Sequence, residues 1–83
     1  MDQIARTPKQ IGDAFRRQRR KLGLNQADVG ERTQLRQATI SAVESGAPGT
    51  QLRTLCEILT ALDLEFVIRP RTKAKSAEIE EIF

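Results

Sequence analysis

With 83 residues, 14 Lys and Arg against 11 Asp and Glu, one Cys and no His, Trp or Tyr, the chain is at most one small basic domain, of a size that buries about 60% of its unfolded surface and gains stability by self-association. The lone Cys permits no internal disulfide and fits a reducing cytoplasm, and no apolar run approaches the roughly 20 residues of a membrane span or forms the core of a secretion signal. Catalysis would lack a His, a second Cys and a Gly-rich phosphate loop, and no acidic loop gathers ligands for a metal, so the expectation is a cytoplasmic binding protein without metal or cofactor.

Residues 1–6 show no periodicity and are expected to fray. Thr7-Pro8 then supplies an N-cap followed by Pro at the first helical position, where its missing N–H costs nothing. The spacing predicts a helix from Pro8 to Lys21, with Ile11, Ala14, Phe15 and Leu22 on the core side and Gly23 closing it. Residues 6–36 hold nine Lys or Arg against three acids, and the densest run is Arg16, Arg17, Arg19, Arg20 and Lys21. A helix spreads these around its circumference: Arg16 and Arg20 read as solvated surface, while Arg17 and Lys21, four apart, are placed to approach phosphate.

Asn25 is a good N-cap and Asp28 puts a carboxylate at the positive helix end, so a second helix begins at Gln26 and runs out near Arg32 and Thr33. It offers Val29 to the interior, and its small Ala27 and Gly30 admit a close neighbour. Leu35 marks a turn. A third helix starts near Gln37, with Ile40 and Val43 three apart on its inner face. Its outer face carries Arg36, Gln37, Ala38, Thr39, Ser41 and Ala42: short or polar side chains that let backbone approach a major groove, with amide and guanidinium groups suited to base edges. Arg36, Gln37, Ala38, Thr39 and Ser41 are the candidate base readers, with Asn25, Gln26 and Ser45 joining Arg17 and Lys21 as candidate phosphate contacts. A merely solvated polar face is the plain alternative.

Gly46 ends this helix, turn formers Ala47-Pro48-Gly49 follow, and Thr50 is expected to cap a fourth helix over residues 51–62. Its apolar face, Leu52, Leu55, Cys56, Ile58, Leu59 and Leu62, reads as core. At Leu64 the period changes from helical to alternating, and Pro70 stops the pattern, which makes residues 64–69 a strand. No second strand is on offer within the chain, so the economical partner is the same strand of a second copy, with Leu64, Phe66, Val67 and Ile68 as the dimer interface. The domain is thus expected to span residues 7–69. Residues 70–83 form a tail, basic and polar at first, whose last six residues hold three Glu and place Ile79, Ile82 and Phe83 on one helical turn suited to a partner's groove.

These residues carry a resemblance. Gly23-Leu24-Asn25-Gln26, Val29, Leu35, Ile40-Ser41, Val43-Glu44 and Gly46, preceded by Ile11-Gly12, Phe15-Arg16 and Arg19, resemble in one register the helix-turn-helix of the lambda-repressor-like, or XRE, family. The resemblance implies a mainly α, four- to five-helix DNA-binding domain, and it implies that Arg19 pairs with Glu44. Two positions depart from it: Gly30 stands where the family usually has Ala, and Gln34 where it has Gly, a turn position that often needs positive φ. The order of elements, with the terminal strand and the run Gln37-Ala38-Thr39-Ile40-Ser41, is similar to HipB-type antitoxins. That likeness implies a homodimer joined by a β-strand, binding palindromic double-stranded operators and a HipA-like kinase toxin, and hence a nucleoid-associated repressor that autoregulates its operon. An XRE regulator with no toxin, or a protein-binding module whose basic face is incidental, would fit the same residues.

Overall fold

The computed structural model describes residues 3–71, which form four helices: α1 (Pro8–Lys21), α2 (Gln26–Thr33), α3 (Gln37–Glu44) and α4 (Leu52–Ala61). Their ends follow from local chemistry. The Thr7 hydroxyl accepts the Gln10 N–H at 3.1 Å while Pro8 occupies the first turn of α1. Gly23, in the left-handed region at φ 74°, then lets its own N–H reach the Arg20 carbonyl and the Leu24 N–H reach the Arg19 carbonyl, each at 3.0 Å. The same double closure recurs after α3, around Gly46, and after α4, where Asp63 takes a left-handed conformation at φ 58°. At α2 the cap is reciprocal: the Asn25 side chain accepts the Asp28 N–H at 2.8 Å and Asp28 accepts the Asn25 N–H at 2.9 Å.

Phe15, Val29, Ile40, Val43, Ile58, Leu59 and Leu62 form the core. Around it α3 packs on both α1 and α2, and α4 lies against α2. The α1 to α3 contact is backbone on backbone, since a Cβ added to Gly12 would stand 2.4 Å from the Val43 carbonyl oxygen. The αL turn expected at Gln34 is present, at φ 62°, and Gly30 is held close to the turn it precedes: an added Cβ would lie 2.9 Å from the Leu35 carbonyl oxygen.

Several expectations are corrected. Cys56 is exposed and not core. The buried stripe of α4 is Leu55, Ile58, Leu59 and Leu62, at helical spacing, and Cys56 sits one residue, about 100° of helix, off it. Leu52 and Leu22 are likewise exposed, Leu22 because it is the C-cap of α1 and already turns out of the stripe. Gln51, not Thr50, is the N-cap of α4 and makes no side-chain cap, while the Thr50 hydroxyl donates to the Ala47 carbonyl at 3.2 Å. Residues 3–6 are tied down where fraying was expected: the Arg6 N–H donates to the Gln10 side chain at 2.6 Å, and Gln3 accepts from Arg17.

Residues 64–71 carry no regular secondary structure in the single chain. Leu64 packs on the core, but Phe66, Val67 and Ile68 are exposed, Ile68 at 99%. The tail calls on Ile79, Ile82 and Phe83 lie outside the described residues. No described helix is long and apolar enough to cross a membrane, and no cluster of possible metal ligands occurs among the described residues.

Candidate nucleic-acid interface

The helix that carries the candidate base readers is fixed from behind. Ile40 and Val43 are buried, so the side of α3 that bears Arg36, Gln37, Ala38 and Ala42 is left outward and exposed, with Thr39 and Ser41 half-buried at its margins. Arg36 is the N-cap residue of α3 and makes no side-chain cap, which leaves its guanidinium uncommitted to the helix. The Ser45 hydroxyl donates to the Ser41 carbonyl at 2.9 Å and closes the far end. The result is a short helix whose outer surface presents an amide, a guanidinium, hydroxyls and methyl groups, and no carboxylate.

Beneath that surface Glu44, 2% exposed, gathers donors from two other helices. Arg19 of α1 forks onto both carboxylate oxygens, Nε to Oε2 at 2.6 Å and Nη2 to Oε1 at 3.1 Å, the pairing that the family resemblance implied. Its Nη1 also donates to the Leu24 carbonyl at 2.9 Å, which ties the loop before Asn25 to the same point. Gln26, the first residue of α2, donates its side-chain amide to Glu44 Oε1 at 3.2 Å. Burial by itself would raise the Glu44 carboxyl, but the hydrogen bonds from Arg19 and Gln26, with the charges of Arg19 and Arg16, more than offset it and hold the group below its ordinary value of 4.5.

Arg16 is the residue that sequence reasoning missed. Read as solvated surface, it lies 3.6 Å from Glu44 Oε1 and donates to the Glu44 backbone carbonyl at 3.4 Å, giving α3 a cation at a carboxyl end that has none of its own. Its signal was available: Arg16 is four residues after Gly12 and three before Arg19, on the one face of α1 that meets α3.

The candidate phosphate contacts divide. The Asn25 side chain is spent on the capping box, which leaves the N–H groups of Gln26 and Ala27 as the outward donors of the α2 start. Lys21 is exposed, but the Arg17 guanidinium is bound to the Gln3 side chain. Lys21 and Arg17 line one groove together with residues 63–67 and 69–71.

The helix-turn-helix domain family model matches residues 10–66, from the first turn of α1 to beyond α4. The chain belongs to this family. The matched span includes every position quoted above for the XRE-like register, and Gly30 and Gln34, the two departures from it, lie within the span as well. No curated protein sequence matches this helix-turn-helix chain. Among solved structures it is similar to a HipB variant in complex with an O2 20-mer, at 29% identity and TM-score 0.81, covering 87% of this chain and all of the other. It is similar also to HipB in an O1-O2 complex, at 29% identity and TM-score 0.78 over 83% of this chain and all of the other, and to a chain of a HipA-HipB-O2-O3 complex, at 28% identity and TM-score 0.79 over 86% of this chain and all of the other.

Proposed function

We propose that this helix-turn-helix protein is a sequence-specific DNA-binding repressor and the antitoxin of a HipBA-like pair, without enzymatic activity and resident in the cytoplasm. The observation that carries the reading is the outer face of α3, exposed and free of acids while its inner face is locked through Ile40, Val43 and Glu44. Gln37 and Arg36 read base edges, each bidentate pair contributing about 1 to 3 kcal/mol of discrimination, while Ala38, Thr39 and Ser41 allow close approach. The free amides of Gln26 and Ala27, with Lys21, set the register on phosphate, while the Asn25 side chain and the Ser45 hydroxyl are spent on the helix ends. Arg17, already bound to Gln3, contributes at most long-range charge.

The likeness to HipB in complexes with 20-mers and with HipA supports two further parts of the reading. A homodimer places two recognition helices about 34 Å apart, one helical turn, on a palindromic operator. A HipA-like kinase toxin is the second partner, engaged by the tail around Ile79, Ile82 and Phe83. The test is a mobility shift of the purified protein on the region upstream of its own gene, against unrelated duplex and across salt, together with co-purification of the product of the neighbouring gene. Retention of the upstream region at salt that releases unrelated duplex is expected; equal affinity for both duplexes would leave a partner-binding module, and a neighbour that does not co-purify would leave a regulator with no toxin.

A further inference from the structure

A groove of about 890 Å³ lies between α1, residues 3–6 and the segment that follows α4. Residues 3–6 are held as one of its walls, Gln3 by the Arg17 guanidinium at 2.9 Å and the Arg6 N–H by the Gln10 side chain at 2.6 Å. The lining is amphipathic. Ile4, Ile11, Phe15, Leu64 and Phe66 supply apolar surface, and Ile4 and Phe66 are left 51% and 46% exposed. Beside them stand five Lys or Arg, Lys21 and Arg71 included, against two acids, Asp63 and Glu65. The proposed pairing of residues 64–68 with their copy claims none of the α1 residues that line this groove. Its complement is an acidic segment that carries large hydrophobes.

The chain carries such a segment. Residues 78–83 hold Glu78, Glu80 and Glu81 with Ile79, Ile82 and Phe83, and no base. Arg71 already lines the groove, and the stretch from Arg71 to Glu78 reaches at most ~25 Å, more than the ~21 Å length of α1. A second copy's residues 64–71 fit the groove less well, because they bring Arg69 and Arg71, with Glu65 alone against them, to a lining that is already cationic. The outer face of α3 is free of acids too, but it offers three large hydrophobes nothing bigger than the methyl groups of Ala38 and Ala42. We propose that residues 78–83 dock in this groove of their own chain, with Ile79, Ile82 and Phe83 on its apolar lining and the three Glu toward its cations. The consequence rests on the reading of this tail as the toxin-binding segment: the chain shields that segment until toxin competes it away. A short tether gives an effective concentration of about millimolar, so a contact too weak to hold a separate peptide suffices. A tail docked nine-tenths of the time lowers the apparent affinity for toxin about tenfold.

The test is a nitroxide label on the full chain at Ser76→Cys, with Cys56→Ser to leave one thiol, read as broadening of backbone amide signals. Docking predicts strong broadening at Ile4, Ala14, Lys21 and Leu64 and little at Gln37. The broadening should vanish when Ile79→Asp and Ile82→Asp are added, and it should weaken at about 1 M salt, where charges are screened within about 3 Å. None of these tail changes touches the four helices, so the fold is not at stake. Broadening centred on residues 36–42, even broadening over the whole chain, or a pattern indifferent to Ile79→Asp and Ile82→Asp would overturn the proposal. So would broadening passed to an unlabelled chain mixed with the labelled one, which would make a second copy the occupant. Lys21→Glu should loosen the docking and, with no DNA present, raise the affinity of the chain for the product of the neighbouring gene up to about tenfold; loosened docking with unchanged affinity would overturn the shielding. A wild-type chain that binds no such product would instead sink the toxin reading, and the broadening pattern, which needs no toxin, would still decide whether the tail docks.

Discussion

Val29, Ile40 and Ile58 lie inside the chain at no more than 2% exposure, whereas Val67 and Ile68, residues of the same kind, stand 70% and 99% exposed. Between Ile11 and Leu62 the large aliphatics that repeat with the helical period, Leu22 and Leu52 excepted, find neighbours within the same chain, and even a charged residue, Glu44, is buried because three donor groups meet it. Past Leu64 the apolar residues continue but the partners stop. A domain this small closes its core with the fourth helix, and the extended segment with alternating apolar side chains that follows is the part that the proposed dimer would pair with its copy. The first region specifies a fold; the second is where the proposed association would form.

The largest expected effect is in the first region. Arg19→Met leaves the Glu44 carboxylate buried with only the longer contacts from Arg16 and Gln26, and the loss of a buried partner costs about 3 to 5 kcal/mol. A fall in melting temperature comparable to a core deletion is expected, and an unaltered melting curve would show that Glu44 is relieved by water or by Arg16 alone. The same site predicts a pH dependence with a definite sign. The folded Glu44 carboxyl is held below its ordinary 4.5, so its contribution to stability is fully present above that value and is lost as pH falls from there through the folded value. Melting temperature of the wild type should drop in that acid window, and the drop should be shallower in Arg19→Met.

The second region is broken by Val67→Pro. If residues 64–68 pair with their copy, the substitution removes a ladder donor and fixes φ in the strand, while no helix depends on the residue. A folded helical protein of half the apparent mass in sedimentation is expected, with operator affinity lowered by about 10²-fold because the second half-site no longer binds intramolecularly. A Val67→Pro chain that stays dimeric at micromolar concentration would move the interface to the helices, and exposed Leu52 and Cys56 on α4 would be the first place to look.

The same division governs how much the sequence reveals. The start and stop of α1, the start of α2 and the stop of α3 could be read locally, because Thr7-Pro8, Gly23, Asn25 with Asp28, and Gly46 each act on backbone groups a few residues away. Periodicity also found the buried faces, but it overran at Leu22, Leu52 and Cys56, where a hydrophobic residue lies just off a stripe or at its end and nothing local says that the stripe has stopped. The outward position of Gln37 was legible, because the spacing of Ile40 and Val43 marks the opposite side of α3 as buried. The site was harder to read where a residue acts across the fold: Arg16 on Glu44, Arg17 on Gln3 and Gln26 on Glu44 span 28, 14 and 18 residues, and of these only Arg16, on the face of α1 it shares with Gly12 and Arg19, carried a local clue to which way it would turn.

Gln37→Ala sharpens the comparison from the outer side of α3. Gln37 is exposed and makes no contact that holds the fold, so its removal should leave the melting curve unchanged. Discrimination at one base pair of each half-site should fall by about 1 to 3 kcal/mol, while affinity for unrelated duplex holds. A uniform loss over all sequences would reassign Gln37 to the phosphate backbone and leave Arg36 as the main reader.

The smallest effect concerns the turn between α2 and α3. Gln34 sits at φ 62°, ψ 21°, a left-handed conformation that costs a non-Gly residue of order 1 kcal/mol or more. Gln34→Gly relieves that strain, but it also removes the side-chain bond to the Glu31 carbonyl at 3.2 Å and widens the unfolded ensemble, so a net gain of about 0.5 kcal/mol is expected. For a domain of this size that is a rise of about 2 to 4 °C in melting temperature. Gly30→Ala should run the other way although Ala is the better helix former, because its Cβ would stand 2.9 Å from the Leu35 backbone oxygen and the turn would have to open. The two changes together return both positions to the residues usual in the family, and they test whether the turn has adjusted to the pair. If Gly30 is small because Gln34 draws Leu35 closer, the double variant is more stable than the sum of the single effects; simple additivity would show that each departure is tolerated independently.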